Sequence, residues 1–407
     1  MSTTDHPNHG AVVDAKLRWH REQLIPLSKE ELLRAVLGAE LFRGEAWAAF
    51  QRWCQLVEAI VHHWYHRRLL QLKTLYAPFD PDSITISAAD TKAVESDQVI
   101  PRLFDEFSEL LGRANYRRLD RHDLELAARA ASEWGVRLRV DFRAFERLEV
   151  FVCGDVLSQR KRRTWRTGYR TEDVLVPVYQ RLVVMARLRQ HRWLDRRVDP
   201  DAVYIKMFKN IPKEDVDMLL PCCRFRMTVL DRGKILLPTV SGLVLAAVKI
   251  IKGAVVLAFA GIYGILILVG GMIGYGIKSF LGYQRTKDRY HLSLTRSLYY
   301  QNLDNNAGVL FRVLNEAEEQ EFREAVLAYA LLFGQAGSTG WTAEELDGAA
   351  EQFLQKVLGF PVDFEVSDAL AKLQQLGCVE RNGESRWCAV RPERACERLS
   401  RAWDECF

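Results

Sequence analysis

The sequence lacks the short motifs by which common nucleotide-binding and metal-binding folds are recognised. No GxGxxG or GxxxxGKS/T string stands at a predicted strand-to-helix junction, so the usual kinds of nucleotide binding have no support. The eight cysteines include no CxxC pair and no histidine at zinc spacing. They therefore predict neither a metal ribbon nor a disulfide framework. We expect free thiols in a reducing compartment and no cofactor.

A secretory signal is also lacking, because the first 27 residues contain no apolar core. We therefore expect the folded parts to face a cytosol-like space. The excess of one sign of charge over the other is small, with a net charge of +4, but it is distributed unevenly along the chain. Residues 1–233 carry 39 basic against 33 acidic side chains. This modest surplus favours a membrane surface or an acidic partner domain over nucleic acid.

Length and composition predict a folded chain of two or three domains, because 407 residues exceed one compact core. Residues 1–135 are predicted as a helical N-terminal region, in which Ser28 and Glu31 form a capping box before a helically spaced apolar run. From residue 136 the apolar period changes to two. Residues 136–233 therefore predict an antiparallel-sheet domain of α+β type.

One long apolar stretch predicts a membrane anchor. Residues 253–277 contain seven glycines and no charge, and about 20 apolar residues suffice to cross a bilayer. Residues 235–248 are shorter and precede Lys249 and Lys252. We predict a two-span transmembrane hairpin at 234–278, with both soluble parts cytoplasmic by the positive-inside rule, in the inner membrane if the source is bacterial. A single span at 253–277 is the alternative.

The C-terminal part is predicted as a juxtamembrane helical region, 279–338, followed by a winged-helix-like domain, 339–407. Thr342 opens a helix with a capping box, and Asn382-Gly383 marks a hairpin between two further helices. The would-be recognition helix, 367–376, carries one Lys, one Asp and no Arg. We therefore expect no specific nucleic-acid binding.

Four short sequence motifs are distinctive enough to be compared with known families. They are Tyr76-Ala-Pro-Phe-Asp-Pro-Asp82, the run from Tyr204-Ile-Lys-Met-Phe-Lys to Leu-Leu-Pro221, Tyr299-Tyr-Gln-Asn-Leu-Asp-Asn-Asn-Ala-Gly308 and Glu316-Ala-Glu-Glu-Gln-Glu321. Together with the apolar segment they resemble the transmembrane protein 143-like family, from about Phe50 to the C-terminus. The resemblance implies a membrane domain of unknown function. It adds no mechanism, and the chain lacks the Arg-rich leader of a mitochondrial member.

A metal site is one interpretation of the second predicted helix. Glu58, His62 and His66 follow one another at intervals of four residues, which places them on one helix face and offers two imidazoles to one ion. A polar, solvated helix face is the other interpretation.

Two further polar segments are candidate sites. Asn302, Asp304, Asn305 and Asn306 form a candidate binding loop, although they lack the ligand spacing of a calcium loop and equally suit a turn with a helix cap. The acidic helix at 316–324 lacks the Glu-x-x-His pairs of di-iron bundles. An ion-paired face, for example Glu319 with Arg323, explains it as well.

The densest basic run suggests a binding surface for anions. Its members are Arg160, Lys161, Arg162, Arg163 and Arg166. They alternate with aromatic residues between two predicted strands, which suits anionic lipid headgroups or nucleic-acid phosphates. A solvated hairpin is the simpler interpretation. Of the functional ones we favour lipid, because the chain is already predicted to lie at a membrane.

These patterns predict an α+β membrane protein of unknown biochemical activity. We expect a non-enzymatic scaffold or regulator whose soluble domains bind each other, an unknown protein partner or anionic lipid. Association of several copies into a homo-oligomer is compatible with this hypothesis. A membrane-bound metal-dependent hydrolase and an oligomeric small-solute channel or transporter are the alternatives. The lack of an intramembrane acid or base argues against the channel.

Overall fold

The computed structural model of the protein describes residues 17–19, 22–42, 44–83, 89–129, 137–163, 171–190, 198–220, 223–226, 274, 299–382 and 385–404. The chain forms two compact units. Unit 1 combines residues 1–120, 143–213 and 303–407, and unit 2 combines residues 121–142 and 214–302. Each unit is therefore assembled from segments that are distant in sequence.

The helices of the described residues occur in both units. In chain order they are α1 (Lys29–Gly38), α2 (Glu45–Tyr76), α3 (Ala89–Arg113), α4 (Arg121–Arg129), α5 (Ala307–Leu331), α6 (Ala343–Leu358), α7 (Val366–Gln375) and α8 (Pro392–Asp404).

The strands build a large sheet in unit 1 and two small ones. In chain order they are β1 (Leu17–Trp19), β2 (Arg117–Leu119), β3 (Arg137–Val140), β4 (Phe145–Arg163), β5 (Thr171–Leu188), β6 (Val203–Pro212), β7 (Cys223–Arg226), β8 (Asn302–Asn305), β9 (Val379–Arg381) and β10 (Trp387–Ala389). The large sheet has the order β1-β4-β5-β6-β8, with β2 paired to β4 as well. The pairs β4–β5 and β5–β6 are antiparallel, which confirms the predicted antiparallel sheet.

Local signals set the ends of several helices. The side chain of Ser28 accepts a hydrogen bond from the backbone N–H of Glu31, and the carboxylate of Glu31 accepts one in return, so the predicted capping box is confirmed. Thr342 and Glu345 form a second confirmed box at the start of α6. Gly359 ends α6 with a φ of +80°, the left-handed conformation that glycine adopts without steric cost.

Helix α5 lies at the centre of unit 1. Its residues 320–331 are all buried, on every side of the helix. Aromatic rings of α2 pack against it, with Trp53 stacked on Tyr329 at a centroid distance of 4.0 Å. One face of the sheet completes the same core through Phe151, Val183 and other buried residues. Such complete burial means that any polar side chain in the second half of α5 must find its partner within the protein.

The C-terminal elements follow the helix, helix, hairpin, helix order of the prediction. They pack on α2 and α5 and share the core of unit 1. The indole N–H of Trp53 donates to the thiol of Cys378 at 3.2 Å, and the hydroxyl of Tyr329 donates to the carbonyl of Val390 at 2.6 Å. These bonds connect the C-terminal elements to helices far away in sequence.

Unit 2 contains α4 and a small antiparallel ladder of β3 and β7. The guanidinium group of Arg121 lies 5.7 Å from the ring centroid of Phe142. Val216 and Leu220 are buried. A 3-10 helix, Lys213–Leu219, follows β6 directly.

The membrane prediction is corrected by this structure. Among the helices of the described residues, none is both long enough and apolar enough to cross a membrane. The longest, α2, α3 and α5, carry charged residues along their length and contribute apolar residues to a protein core, whereas a span needs about 20 largely apolar residues. Within the described residues the fold is therefore a mixture of helices and antiparallel sheet, and these residues show neither the predicted membrane-spanning helices nor the two-span localisation with cytoplasmic flanks. The predicted hairpin at 234–278 falls almost entirely outside them. Apart from Gly274, residues 235–277 lie outside the described part of the chain.

Candidate functional site

Three of the motif strings noted in the sequence meet at one place in unit 1, where β6 lies beside β8 and α5 begins. Asn306 stands at the N-terminus of α5 with a φ of +49°. Its side-chain oxygen accepts a hydrogen bond of 3.2 Å from the backbone N–H of Ile205, and its own N–H donates 2.6 Å to the carbonyl of Ile205. Its side-chain amide donates to Asp82 at 2.6 Å. One asparagine thus connects all three strings.

A second contact at the same place is formed by Tyr76, which reaches the residue just before the Tyr204 string. Its hydroxyl donates a hydrogen bond of 2.9 Å to the backbone carbonyl of Val203, at the start of β6. Burial raises the pKa of this phenol, and the nearby carboxylates of Asp80 and Asp82 raise it further. Tyr76 therefore remains a neutral hydrogen-bond donor over the whole physiological pH range, which suits a structural contact.

The candidate binding loop forms strand β8 and the cap of α5. Asp304 accepts a hydrogen bond of 2.6 Å from the guanidinium of Arg312. Gly308 allows this arrangement, because a Cβ atom there would lie 2.6 Å from the carboxylate of Asp304. Asn305 is exposed and Asn302 is half-buried. Two of the four candidate side chains, those of Asp304 and Asn306, are therefore bonded within the protein.

The first acidic residues of helix α5 have partners on neighbouring elements. Glu316 accepts a hydrogen bond of 2.5 Å from the hydroxyl of Tyr116, and Arg181 of β5 lies 3.4 Å from it. Glu319 lies 3.8 Å from Arg323, which is the predicted pair one helical turn apart. These contacts favour the ion-paired interpretation of the acidic helix over a metal-binding one.

Deeper in the core, Glu321 forms ion pairs with two basic side chains. Its two carboxylate oxygens lie 3.1 Å from Arg113 of α3 and 2.6 Å from Lys372 of α7. Glu321 is almost fully buried, and Lys372 is 12% exposed. The phenol of Tyr65 lies beside them, and its pKa is raised by burial first and by the charge of Glu321 second. The three charged groups therefore join α3, α5 and α7 in the interior.

Glu324 belongs to a second buried network. It accepts hydrogen bonds from the side-chain amides of Gln320, at 2.7 Å, and Asn115, at 3.0 Å. The same two amides also donate to the carbonyl of Gln23. Burial raises the pKa of Glu324 from 4.5 to about 8, because the ionised carboxylate loses its hydration. Glu324 is therefore mostly protonated at neutral pH.

The three candidate metal ligands have other neighbours. Glu58 accepts a hydrogen bond of 2.7 Å from Lys29. Nδ1 of His62 lies 3.1 Å from a carboxylate oxygen of Glu318, on α5. The rings of His62 and His66 are 6.4 Å apart between centroids. The structure thus adds Glu318 to the environment of His62, and the proposed metal site remains a prediction.

The basic run lies at the far end of the β4–β5 hairpin. In the ladder, Lys161 stands opposite Asp173 and Arg162 opposite Glu172, with Arg160 and Arg163 on either side. Arg166 lies in the connecting segment, outside the described residues. Residues 160–163 thus lie within β4 and not between two strands as predicted, and β4 and β5 form an antiparallel hairpin.

The cysteines among the described residues are free thiols, and most of them are shielded from solvent. Cys54, Cys153, Cys378, Cys388 and Cys396 are free, as predicted. All except Cys388 are buried. Burial raises the pKa of Cys378 to about 12, which leaves it as an unreactive thiol.

Sequence reasoning missed Asn115 and Arg113 as partners of the acidic helix, and Gln320 as a partner of Glu324 within it. A usable signal was present for Asn115, which lies two residues after the end of α3 and adopts a φ of +58°, as asparagine often does after a helix. Gln320 and Glu324 gave a weaker signal, since both precede the apolar run that ends α5. Arg113 is one arginine among many and gave none.

Comparison with known proteins gives a family without an assigned activity. Residues 176–308 are similar to a family described as a protein of unknown function, DUF3754. The match covers about a third of the chain, from β5 to the start of α5. It contains Asn306 and β6, and thus much of the place where the motif strings meet. No solved structure matches the chain. The resemblance to the transmembrane protein 143-like family stays a prediction.

Proposed function

We propose that the protein is a non-enzymatic scaffold or regulator that binds anionic phospholipid headgroups through the basic end of its β4–β5 hairpin. The observation that carries the proposal is the reach of this hairpin. The pairing of β5 with β6 begins only at Val178, whereas its pairing with β4 extends back to Thr171. Residues 171–177 therefore project past β6 by roughly 20 Å, at about 3.3 Å per residue.

The charge at the projecting end suits an anionic surface. Residues 160–173 contain six Lys and Arg against two acids, Glu172 and Asp173. Four of the cations are consecutive, from Arg160 to Arg163. A Lys or Arg near an anionic membrane surface contributes about 1 kcal/mol, so an excess of four cations supports binding that is weakened by salt.

The environment of the acidic residues supports a non-enzymatic role. A general acid, base or metal ligand must be able to reach a substrate or an ion. In the part of unit 1 that is described, Glu316, Glu321 and Glu324 of α5 are each bonded to side chains of the protein, and Asp304 is bonded to Arg312. These carboxyl groups join helices and strands to one another. A rigid platform that presents a charged arm suits a scaffold.

The test is binding of the full-length protein to lipid vesicles by co-sedimentation. The variant carries Arg160→Ala, Lys161→Ala, Arg162→Ala and Arg163→Ala. We expect wild type to bind vesicles of phosphatidylcholine with phosphatidylserine, and not pure phosphatidylcholine. We expect the variant to bind the anionic vesicles at least about 100-fold more weakly, on the basis of about 1 kcal/mol per cation.

A matched control removes four exposed cations elsewhere in unit 1, namely Arg67→Ala, Lys356→Ala, Arg394→Ala and Arg401→Ala. It has the same net charge as the first variant, and we expect it to keep most of the vesicle binding. Equal loss in both variants would reduce the effect to net charge and contradict the assignment to the hairpin. Strong binding of duplex RNA or DNA that is lost with the hairpin cations would replace lipid by nucleic acid.

A further inference from the structure

A cavity of about 440 Å³ opens in unit 1 between the end of α5, strand β10 and the start of α8. Its volume lies in the range of small-molecule sites, about 300–1,000 Å³. The cavity is remote from the β4–β5 hairpin in sequence and uses none of its residues. Its walls differ in character: one is apolar, one is an edge of backbone polar groups, and the rim is charged.

The apolar wall is held in place by a break in helix geometry. Helix α5 ends in one turn of π-helix, Leu332–Ala336, and the ring of Phe333 in this turn lines the cavity. That ring is stacked on Phe42 at a centroid distance of 5.0 Å. A Cβ atom at Gly334 would lie 2.9 Å from the carbonyl oxygen of Leu41, so only glycine permits this packing. Such π-turns occur frequently at functional sites.

The second wall is the open edge of β10. Trp387 exchanges both of its backbone hydrogen bonds with Trp341, and the N–H of Val390 donates to Cys378 on the opposite side. Backbone polar groups alternate between the two edges of a strand. The N–H and C=O of Ala389 therefore point to the same side as those of Trp387, past the point where the pairing with Trp341 ends. Ala389 lines the cavity there.

The rim carries one side chain of each charge. Arg391 and Glu393 both line the cavity and both are exposed. Neither forms an ion pair with any residue in the described ranges. A carboxylate and a guanidinium at one mouth, with no ion pair to either among the described residues, suit a ligand that carries both charges itself.

We propose that this cavity binds an α-amino acid unit with a free carboxylate and an apolar side chain. The carboxylate of the ligand pairs with Arg391. Its ammonium group, or its amide N–H if the ligand is a peptide, contacts the carboxylate of Glu393 and the backbone polar groups of Ala389. The side chain lies against Phe333 and Ala46. A free amino acid and the C-terminal residue of a peptide share this chemistry. The proposal is independent of headgroup binding by the hairpin.

Four probes separate the sources by isothermal titration of the full-length protein. L-phenylalanine carries both charges, L-phenylalaninamide lacks the carboxylate, N-acetyl-L-phenylalanine lacks the ammonium group, and glycyl-L-phenylalanine extends the chain. We expect a dissociation constant of about 1 mM or below for the best probe, given its size. L-phenylalaninamide should bind at least about 10-fold more weakly than the best probe, whether the natural ligand is a free amino acid or a peptide terminus. Loss of binding on N-acetylation indicates a free amino acid, and tighter binding of the dipeptide indicates a peptide terminus.

Substitutions at the rim test the assignment. We expect Arg391→Gln to weaken the best probe about 10-fold or more, because a charge-assisted pair is lost. Arg394→Gln, a change at an exposed position in the first turn of α8 outside the cavity, should leave binding unchanged. A second readout is the thiol of Cys388, which lines the cavity and is half-buried. The bound probe should slow its alkylation, with a Cys388→Ser protein giving the background from other cysteines.

Two results would overturn the proposal. One is the absence of a binding heat and of Cys388 protection for all four probes at millimolar concentration. The other is binding that Arg391→Gln and Arg394→Gln affect equally. Neither substitution removes a contact of the core, because both arginines are exposed, so loss of folding does not explain either result.

Discussion

Asn115 and Glu324 are joined by a hydrogen bond of 3.0 Å in the core of unit 1, across 209 residues of sequence. Asn115 donates its side-chain amide to the carboxyl group of Glu324 and also to the carbonyl of Gln23. The end of α3, the centre of α5 and the segment before α1 thereby meet at one buried polar group. Burial of that group makes the stability of the protein depend on pH.

The first prediction concerns this dependence. The folded pKa of Glu324 is about 8, above the ordinary value of 4.5. Its contribution to stability is therefore complete below about pH 4.5 and is lost as the pH rises to about 8, by about 1.4 kcal/mol per pH unit. Glu324→Gln keeps the shape without the titration. We expect the variant to match wild type near pH 4.5 and to gain on it with rising pH, in urea unfolding measured from pH 5 to 8.

A control for this measurement is Glu344→Gln, which changes an exposed carboxyl group in the first turn of α6. Its unfolding free energy should follow wild type across the same pH range. A constant difference between Glu324→Gln and wild type at all pH values would show that Glu324 does not titrate with folding.

The second prediction concerns Asn306, where the motif strings meet. Asn306→Ala removes the bonds to Asp82 and Ile205 and leaves a positive φ that alanine tolerates poorly. We expect a loss of about 2–4 kcal/mol in the free energy of unfolding. Asn305→Ala, at the exposed neighbouring position, should change it by less than about 0.5 kcal/mol. Equal stability of the two variants would count against a structural role for Asn306.

The third prediction compares two ion pairs by double-mutant cycles. The buried pair is Glu321 with Lys372, tested with Glu321→Gln and Lys372→Met. The exposed pair is Glu30 with Arg34, one turn apart on α1, tested with the same kinds of change. We expect a coupling free energy above about 1 kcal/mol for the buried pair and about 0.3 kcal/mol for the exposed one. Similar couplings would mean that solvent screens Glu321 despite its burial.

The fourth prediction uses two glycines with opposite surroundings. A Cβ atom at Gly334 would lie 2.7 Å from the Cβ atom of Leu41, so Gly334→Ala should cost about 1–3 kcal/mol. At Gly348, inside α6, a Cβ atom has no neighbour within 4 Å among the described atoms. Gly348→Ala should therefore stabilise by up to about 1 kcal/mol, through helix propensity. Thermal unfolding of both variants checks the signs, and a stabilised Gly334→Ala protein would contradict the close approach to Leu41.

Local patterns were sufficient for elements whose causes lie within a few residues. The capping boxes at Ser28 and Thr342 need only a hydroxyl and a glutamate three residues later. The strand β6 and the hairpin β9–β10 likewise follow from alternation and turn residues. The candidate sites were harder to predict, because the neighbours of His62 and Glu321 come from helices that are far away in sequence.

The membrane prediction shows the limit of a local pattern. That prediction rested on the apolar length of one segment by itself. The helices of the described residues bury their apolar side chains against one another, and none of them is long and apolar enough to cross a membrane. The sequence alone determined the main helices of unit 1, its central antiparallel strands, the caps and the free cysteines. It did not show the short strands β1, β2 and β8, which exist only through their pairing with distant strands. Tertiary structure decided which distant segments form one unit, the pairing of each buried carboxyl group and the walls of the cavity beside Arg391. The reason is physical: hydrogen bonds between neighbours depend on local spacing, but burial and charge pairing depend on side chains that only the folded chain brings together.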